Sequence, residues 1–393
     1  MKIGMILDKE FPPDPRVENE ALALVSKGVE VYLFCLHYKG QIEYETYKGI
    51  NICRYPFNTF LYKSSALAYT VPVYSFFMSK KIKDFIDKQD ISHLHIHDIR
   101  IAQAVEWSNY KKLPCVLDLH DNFPEIMKFY PHLQKFPGRY VINPDNWKRQ
   151  EAKFIANADR VISVSPQFKE DLIRRFPSME DKMVLVPNTI SRQFYTNAKI
   201  DQRIIERFNS KFVLLYLGDT GLRRGLLTAI RAMPKILKTI PNAQLVIVGS
   251  NSSDPILKEA CFKLKLANSV SFEGWQDQRD FPSYIEVSSI CLSPLDRNAQ
   301  HDVAYANKLF QYMGFKKPLL VSNAIAQRDL VNHINCGKIH KEKDSEDFAQ
   351  KVIDMQQNLE QLIEFGENGF NFVDKEFCWE ESQKSLIDMY QKL

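Results

Sequence analysis

Short runs of consecutive apolar residues alternate along this chain with longer stretches patterned for helices. Lys2–Leu7, Val29–Cys35, His93–His97, Cys115–Leu119, Arg160–Ser165 and Met183–Pro187 read as strands, and Arg16–Lys27 reads as a helix after the first of them. The strand runs are continuous rather than alternating, as expected where helices cover both faces of a parallel sheet. From Asn188 to Ser210 the chain turns polar and loses this rhythm. A second series opens at Lys211–Leu217 and continues through Ala243–Val248, Val270–Glu273, Ile290–Pro294 and Pro318–Ser322, each followed by a helical pattern. The pattern predicts an α/β fold of two Rossmann-like domains, residues 1–190 and 191–376. Residues 377–393 form a closing amphipathic helix, with Ser382, Leu386, Met389, Tyr390 and Leu393 on one face, which has the first domain among its choices of docking surface. In open α/β sheets ligands bind beyond the carboxyl ends of the strands, so the expected site is a cleft between two facing sheets.

Composition narrows the classes. The 393 residues carry a net charge of +4 without dense Lys/Arg clustering, which argues against a nucleic-acid partner. The seven cysteines are scattered, with no metal-ligand spacing, and read as buried reduced thiols of a cytoplasmic protein. The chain starts directly on a strand-like run, and its longest apolar stretch, Ser64–Met78, is shorter than the ~20 residues of a membrane span. The segment Arg54–Lys83 mixes tyrosine, phenylalanine and lysine. It has two readings: a basic aromatic surface resting on anionic lipid at the inner face of a membrane, or a helix packed on the sheet with solvated lysines.

Two segments carry candidate chemistry. Gly218-Asp219-Thr220-Gly221-Leu222-Arg223-Arg224-Gly225 follows an apolar strand and precedes the helical pattern Leu226–Lys238. A glycine turn entering a helix presents backbone N–H groups and a positive dipole end to an anion, and Arg224 adds a forked charge suited to phosphate. The glycine spacing is not the dinucleotide fingerprint. In the second segment, Tyr305–Ser322, a helix opens near Asn307 with Lys308 and Gln311 on one face, while Leu309, Tyr312 and Met313 are core.

The second segment resembles the "P-x-K-L-F-E-Y-M-A-x-G-K-P-V" stretch of family 4 glycosyltransferases, retaining enzymes of the GT-B fold. Phe11–Ala21 (FPPDPRVENEA) resembles the first-loop motif of one branch. Leu94–Asp98, Asp118–Asp121, Val161–Ser165, Val186–Asn188 and Phe377–Glu380 are similar to further motifs in the family's order.

The resemblance implies that His120 lies at the donor sugar as the catalytic-site residue, with Arg16, His97 and Asp121 on acceptor-side loops. It implies that Gly218, Arg224, Asn307 and Lys308 hold the donor diphosphate. The family's paired glutamates are replaced by Val303 and Gln311, with Asp302 one residue off register, so Asp302 and Gln311 become the expected sugar and ribose contacts. Asp219 stands where a second basic residue is usual. No metal and no further cofactor is implied, and no Asp-x-Asp motif occurs. A metal pair from His95 and His97 is not expected either, on the view that their side chains face opposite ways along the strand. The implied partners are a nucleotide-sugar donor and a glycan or lipid-linked acceptor of surface polysaccharide or glycolipid assembly. A sugar-nucleotide epimerase of the same fold and a non-catalytic nucleotide-sugar-binding subunit are the alternatives.

Overall fold

The computed structural model describes residues 1–37, 40–130, 133, 136 and 138–393. Eight strands form the first sheet: β1 (Lys2–Ile6), β2 (Glu30–His37), β3 (Tyr44–Tyr47), β4 (Ile50–Pro56), β5 (His93–His97), β6 (Cys115–Leu119), β7 (Arg160–Ser163) and β8 (Met183–Leu185). Their spatial order is β3-β4-β2-β1-β5-β6-β7-β8, and only β3 runs antiparallel to its neighbour. The β3–β4 hairpin turns on Lys48 and Gly49, both at positive φ (51° and 88°), the signature of a type I′ turn.

Six further strands form the second sheet: β9 (Phe212–Leu217), β10 (Ala243–Val248), β11 (Val270–Gly274), β12 (Ile290–Ser293), β13 (Leu319–Ser322) and β14 (Gly337–His340), in the order β11-β10-β9-β12-β13-β14. All its pairings are parallel.

The chain divides into two units, Met1–Asn188 with Gln383–Leu393, and Thr189–Ser382. The closing helix, Trp379–Gln391, is therefore not separate: it begins in the second unit and ends in the first. Among the described residues no helix is long and apolar enough to cross a membrane.

Both sheets share one topological feature. Strands are added outward on one side of the first strand of each unit, and the chain then crosses to the other side. Between β1 and β5, and between β9 and β12, the loops leaving neighbouring strands diverge, which opens a crevice at the carboxyl ends.

Alternation along β9 sends Leu214 and Tyr216 to one apolar layer and Val213, Leu215 and Leu217 to the other. The helix Leu226–Thr239 covers the first layer through Leu226, Ile230 and Met233. The short helix Lys308–Gly314 covers the second through Leu309, Tyr312 and Met313, and the Tyr312 hydroxyl accepts from the backbone N–H of Leu217 at 2.8 Å. Each such buried aliphatic side chain contributes roughly 1.5–3 kcal/mol. Together they fix the ends of β9 and β12, from which the second unit's polar loops depart.

Gly225 is required where β9's loop returns to the sheet. Its φ is +75°, and a Cβ there would sit 1.7 Å from the carbonyl oxygen of Pro294, just past β12. Replacing Gly225 with alanine is expected to cost at least ~2 kcal/mol of stability, through strain and displaced backbone. Urea denaturation of the variant measures this. An unchanged midpoint would contradict the close approach.

Candidate functional site

In the first unit a knot of charged and imidazole side chains lies at the carboxyl ends of β5 and β6. His97 on β5 pairs in register with Asp118 on β6. His95 and His97, two residues apart on one strand, share a face, and their rings stack with centroids 4.5 Å apart. This corrects the expectation that they point oppositely: the side-chain period of a strand is two, so only adjacent residues diverge.

The helix Pro15–Val25, capped by the Asp14 side chain, supplies Arg16 and Glu20 one turn apart. Arg16 donates to both carboxylate oxygens of Asp118 (3.0 and 2.7 Å) and to the carbonyl of Val186 at 3.1 Å. A terminal nitrogen of the same guanidinium also lies 2.8 Å from Glu20. Tyr390 of the closing helix shares a hydrogen bond with His95 Nδ1 at 2.8 Å, and His95 Nε2 is 3.3 Å from Glu20.

His120, one residue beyond β6, is 13% exposed and places Nε2 2.8 Å from Asp118. Its Nδ1 is 3.7 Å from Asp98, whose carboxylate also accepts from the His120 backbone N–H. Asp98 holds a left-handed φ of 68°, a strained backbone of the kind that gathers at functional loops.

The electrostatics divide this knot. Burial alone would lower the His120 pKa, but Asp118 and Asp98 outweigh it and push it up to about 9, so the ring is an imidazolium at neutral pH. Burial would raise Asp118, yet Arg16 and His120 hold it well below the usual carboxylate range. His97 is kept neutral by burial and the neighbouring His95. Glu20 goes the other way: burial exceeds the attraction of Arg16, whose nitrogen is close but out of hydrogen-bond alignment, and lifts the carboxyl to about 7.

Arg16 and His97 thus belong to the buried scaffold rather than to open loops: Arg16 sits inside a helix and His97 at a strand end. Asp121 is half-buried, and its carbonyl accepts from Phe123. Glu20, His95, His97 and Asp118 bring four possible metal-ligand atoms within 4.8 Å of one another. The Arg16 guanidinium already lies 2.7 Å from Asp118 and 2.8 Å from Glu20, the two carboxylates of that set, so a divalent ion there would have to displace it.

In the second unit, Gly218 leads from β9 into a 3-10 turn, Leu222–Arg224, and Gly225 starts the helix Leu226–Thr239. Arg224 Nε lies 3.1 Å from Asp219, whose carboxylate also accepts from Asn251 Nδ2 at 2.6 Å. Asp219 therefore orients Arg224 rather than adding a second clamp. Among the described residues the terminal nitrogens of Arg224 have no protein partner.

Lys308, at the first position of its helix, is only 9% exposed. Its ammonium lies 3.4 Å from the ring centroid of Tyr216, and no carboxylate pairs with it among the described residues. Burial and then the nearby Arg224 drive its pKa well below the usual lysine value, against a smaller pull from Asp219. Asn307 is exposed beside it, and Gln311 is half-buried one turn on. Asp302 has other partners: it pairs with Arg297 at 3.0 and 3.1 Å and accepts from Ile325 N–H, which ties down the start of the next helix.

His301 belongs to no motif in the sequence. Its Nδ1 lies 2.7 Å from the carbonyl of Asp296 and 2.9 Å from the Asn298 amide nitrogen, while Nε2 is buried and has no partner among the described residues. Burial, reinforced by Arg224, Arg223 and Lys308, pushes its pKa down to about 4. Two cations and a neutral imidazole thus share the β9/β12 crevice. That is chemistry for a phosphate and a hydroxyl.

The model of the "Glycosyltransferase Family 4" domain matches residues 16–194, and that of "Glycosyl transferases group 1" matches residues 211–358. An uncharacterized glycosyltransferase of Methanocaldococcus jannaschii is 24% identical over 408 residues, covering 100% of this chain and 98% of its own. A GDP-mannose-dependent alpha-(1-6)-phosphatidylinositol monomannoside mannosyltransferase of Mycobacterium tuberculosis is 22% identical over 193 residues, 49% of this chain and 50% of its own. Among solved structures, sucrose-phosphate synthase from Thermosynechococcus elongatus superimposes with a TM-score of 0.78 at 17% identity, over 100% of this chain and 98% of that one. Anabaena HepE in complex with UDP-glucose gives 0.74 at 13% identity, over 100% of both chains. These likenesses establish the shared two-domain fold.

Glu20 titrates near 4.3 in an unfolded chain and at about 7 here, so its contribution to stability is full below the lower value and is lost as pH rises through 7. The Glu20→Gln variant is expected to gain on the parent by up to roughly 3 kcal/mol between about pH 5 and 8. Urea midpoints across that range check it. A difference independent of pH would contradict the raised carboxyl.

Proposed function

We propose that this chain, a glycosyltransferase of the GT-B class, takes a nucleoside diphosphate sugar on its C-terminal unit and transfers the sugar, with retention, to a glycan or lipid-linked acceptor recognised by its N-terminal unit. The observation that carries this reading is Lys308, a buried ammonium with no carboxylate partner among the described residues, beside Arg224 in the crevice at the switch point of the second sheet. A diphosphate supplies the missing counter-charge. It also grows more negative on its leaving oxygen as the glycosidic bond breaks, so fixed cations there favour the transition state over the bound donor.

Lys308 and Arg224 then perform the charge stabilisation, Asp219 keeps Arg224 aimed, and Asn307 and the Gly218 turn add polar contacts. Gln311 and the His301 imidazole take donor hydroxyls in place of the two absent glutamates. His120, held protonated by Asp118 and Asp98, serves as a hydrogen-bond donor and positive charge toward substrate rather than as a base. Retention of configuration suits a site whose imidazole is not free to deprotonate an acceptor. Support for a nucleotide-sugar comes from the neighbour solved with UDP-glucose, and support for a glycolipid role from the mannosyltransferase relative.

The reading is tested with UDP-glucose and GDP-mannose as donors. Lys308→Met and Arg224→Ala are each expected to lower kcat/KM by at least about 100-fold while the chain remains folded, and activity should survive a metal chelator. Activity should fall as pH rises through about 9, where His120 loses its proton. Conversion of either donor to an epimer without acceptor would instead favour an epimerase, and wild-type transfer by His120→Ala would remove His120 from the mechanism.

A further inference from the structure

The first unit also holds a cavity of about 900 Å³, large among small-molecule pockets, that the strand-end knot does not use. It begins where the knot stops: Arg100 lies two residues beyond Asp98, and Phe123 three beyond His120. Leu67, Phe123, Met127, Ile142 and Trp147 make its wall largely hydrocarbon and aromatic. Among the described residues its charged lining residues are Lys63 and Arg100, and no Asp or Glu lines it.

Arg100 is held over the rings of Phe123 and Tyr62 and donates to the Tyr62 hydroxyl at 2.6 Å, with Asp8 at 3.5 Å. Lys63 is exposed and makes no ion pair among the described residues. A wall of this kind recognises a long apolar chain, and the exposed Lys63 beside Arg100 recognises an anion joined to it.

The surroundings point the same way. Phe60 is 85% exposed, Phe136 84% and Tyr140 72%, all on the segments that form the cavity. Phe76 and Phe77, also exposed, stand on the helix Val73–Gln89 with Lys80, Lys81 and Lys83. Exposed rings interleaved with lysines suit the interfacial zone of a bilayer, whereas a freely soluble ligand needs no such collar.

We propose that this cavity binds the hydrocarbon tail of a lipid phosphate, with Lys63 and Arg100 at its phosphate, and that this lipid carries the acceptor. The proposal rests on the reading that the N-terminal unit recognises acceptor, and it narrows that acceptor to a lipid-linked one. Bound in this way, the lipid's headgroup lies at the carboxyl ends of β5 and β6, next to His120.

The test is calorimetry of the full chain with dodecyl phosphate, dodecanol and inorganic phosphate, with UDP as a separate control. Dodecyl phosphate is expected to bind at least about tenfold more tightly than dodecanol, with inorganic phosphate weaker than both. Ala66→Trp fills the cavity and Lys63→Glu reverses its charge at an exposed position that folding tolerates. Each is expected to weaken dodecyl phosphate about tenfold or more and leave UDP affinity unchanged.

Equal binding of dodecanol and dodecyl phosphate, or unaltered dodecyl phosphate binding by both variants, would overturn the proposal. So would failure of dodecyl phosphate to bind a chain that still binds UDP. Failure of UDP to bind would strike the proposed function instead, because the two ligands report on different units.

Discussion

A lysine ammonium held away from water, with no carboxylate partner among the described residues, is the constraint on which the second unit's chemistry depends. Lys308 is placed there by the apolar residues that follow it: Leu309, Phe310, Tyr312 and Met313 are buried against the sheet, and the helix cannot rotate to bring residue 308 into solvent without exposing them. The Tyr216 ring offers the ammonium its quadrupole, worth a fraction of what a carboxylate or phosphate offers. The unit therefore carries an unmet electrostatic demand at the place where the strand order reverses. Asp219 meets only part of it, because it is already engaged by Arg224 and Asn251.

The first unit solves the opposite problem. Its buried groups are mutually neutralised, with Arg16 and His120 both on Asp118, and their cooperation fixes protonation states rather than leaving a demand open. A doubly held aspartate keeps His120 charged, a neutral His97 fills the space beneath it, and a partly protonated Glu20 absorbs the residual imbalance beside Arg16. Replacing Asp118 leaves Arg16 and His120 buried without their shared counter-charge. The knot is in that sense a single positioning device for the His120 ring.

Much of the fold was legible from hydrophobic runs. Strands β5, β6 and β10 begin and end at the expected residues, because each is an uninterrupted run bounded by a turn or a change in polarity. The β3–β4 hairpin was not legible: its turn uses Lys48 and Gly49 instead of an Asn-Gly pair, and β3 is an exposed polar edge strand. The short β14, Gly337–His340, was also overlooked, since only its last residue is buried. Leu309, Tyr312 and Met313 were legible as core from helical spacing.

In the candidate sites, Arg224 and Lys308 stand out by motif. His301 does not stand out, because its place near Arg224 and Lys308 comes from a loop held by Asp296 and Asn298, contacts whose spacing matches no pattern. Asp302 was selected for its charge, yet its partners Arg297 and Ile325 N–H come from the fold of a long loop that periodicity does not describe.

The central claim is that Lys308 awaits an anionic ligand, and its most direct measurement is the proton balance of nucleotide binding. A lysine whose pKa is depressed in the free protein and restored beside a diphosphate must take up a proton on binding whenever the pH lies between the two values. Calorimetric titration with UDP and with GDP, repeated in buffers of different ionisation enthalpy over a range of pH, reads that uptake. The account expects proton uptake on binding in the parent chain that disappears in Lys308→Met. Nucleotide binding with no proton uptake at any pH, or with the same uptake in the variant, would contradict it.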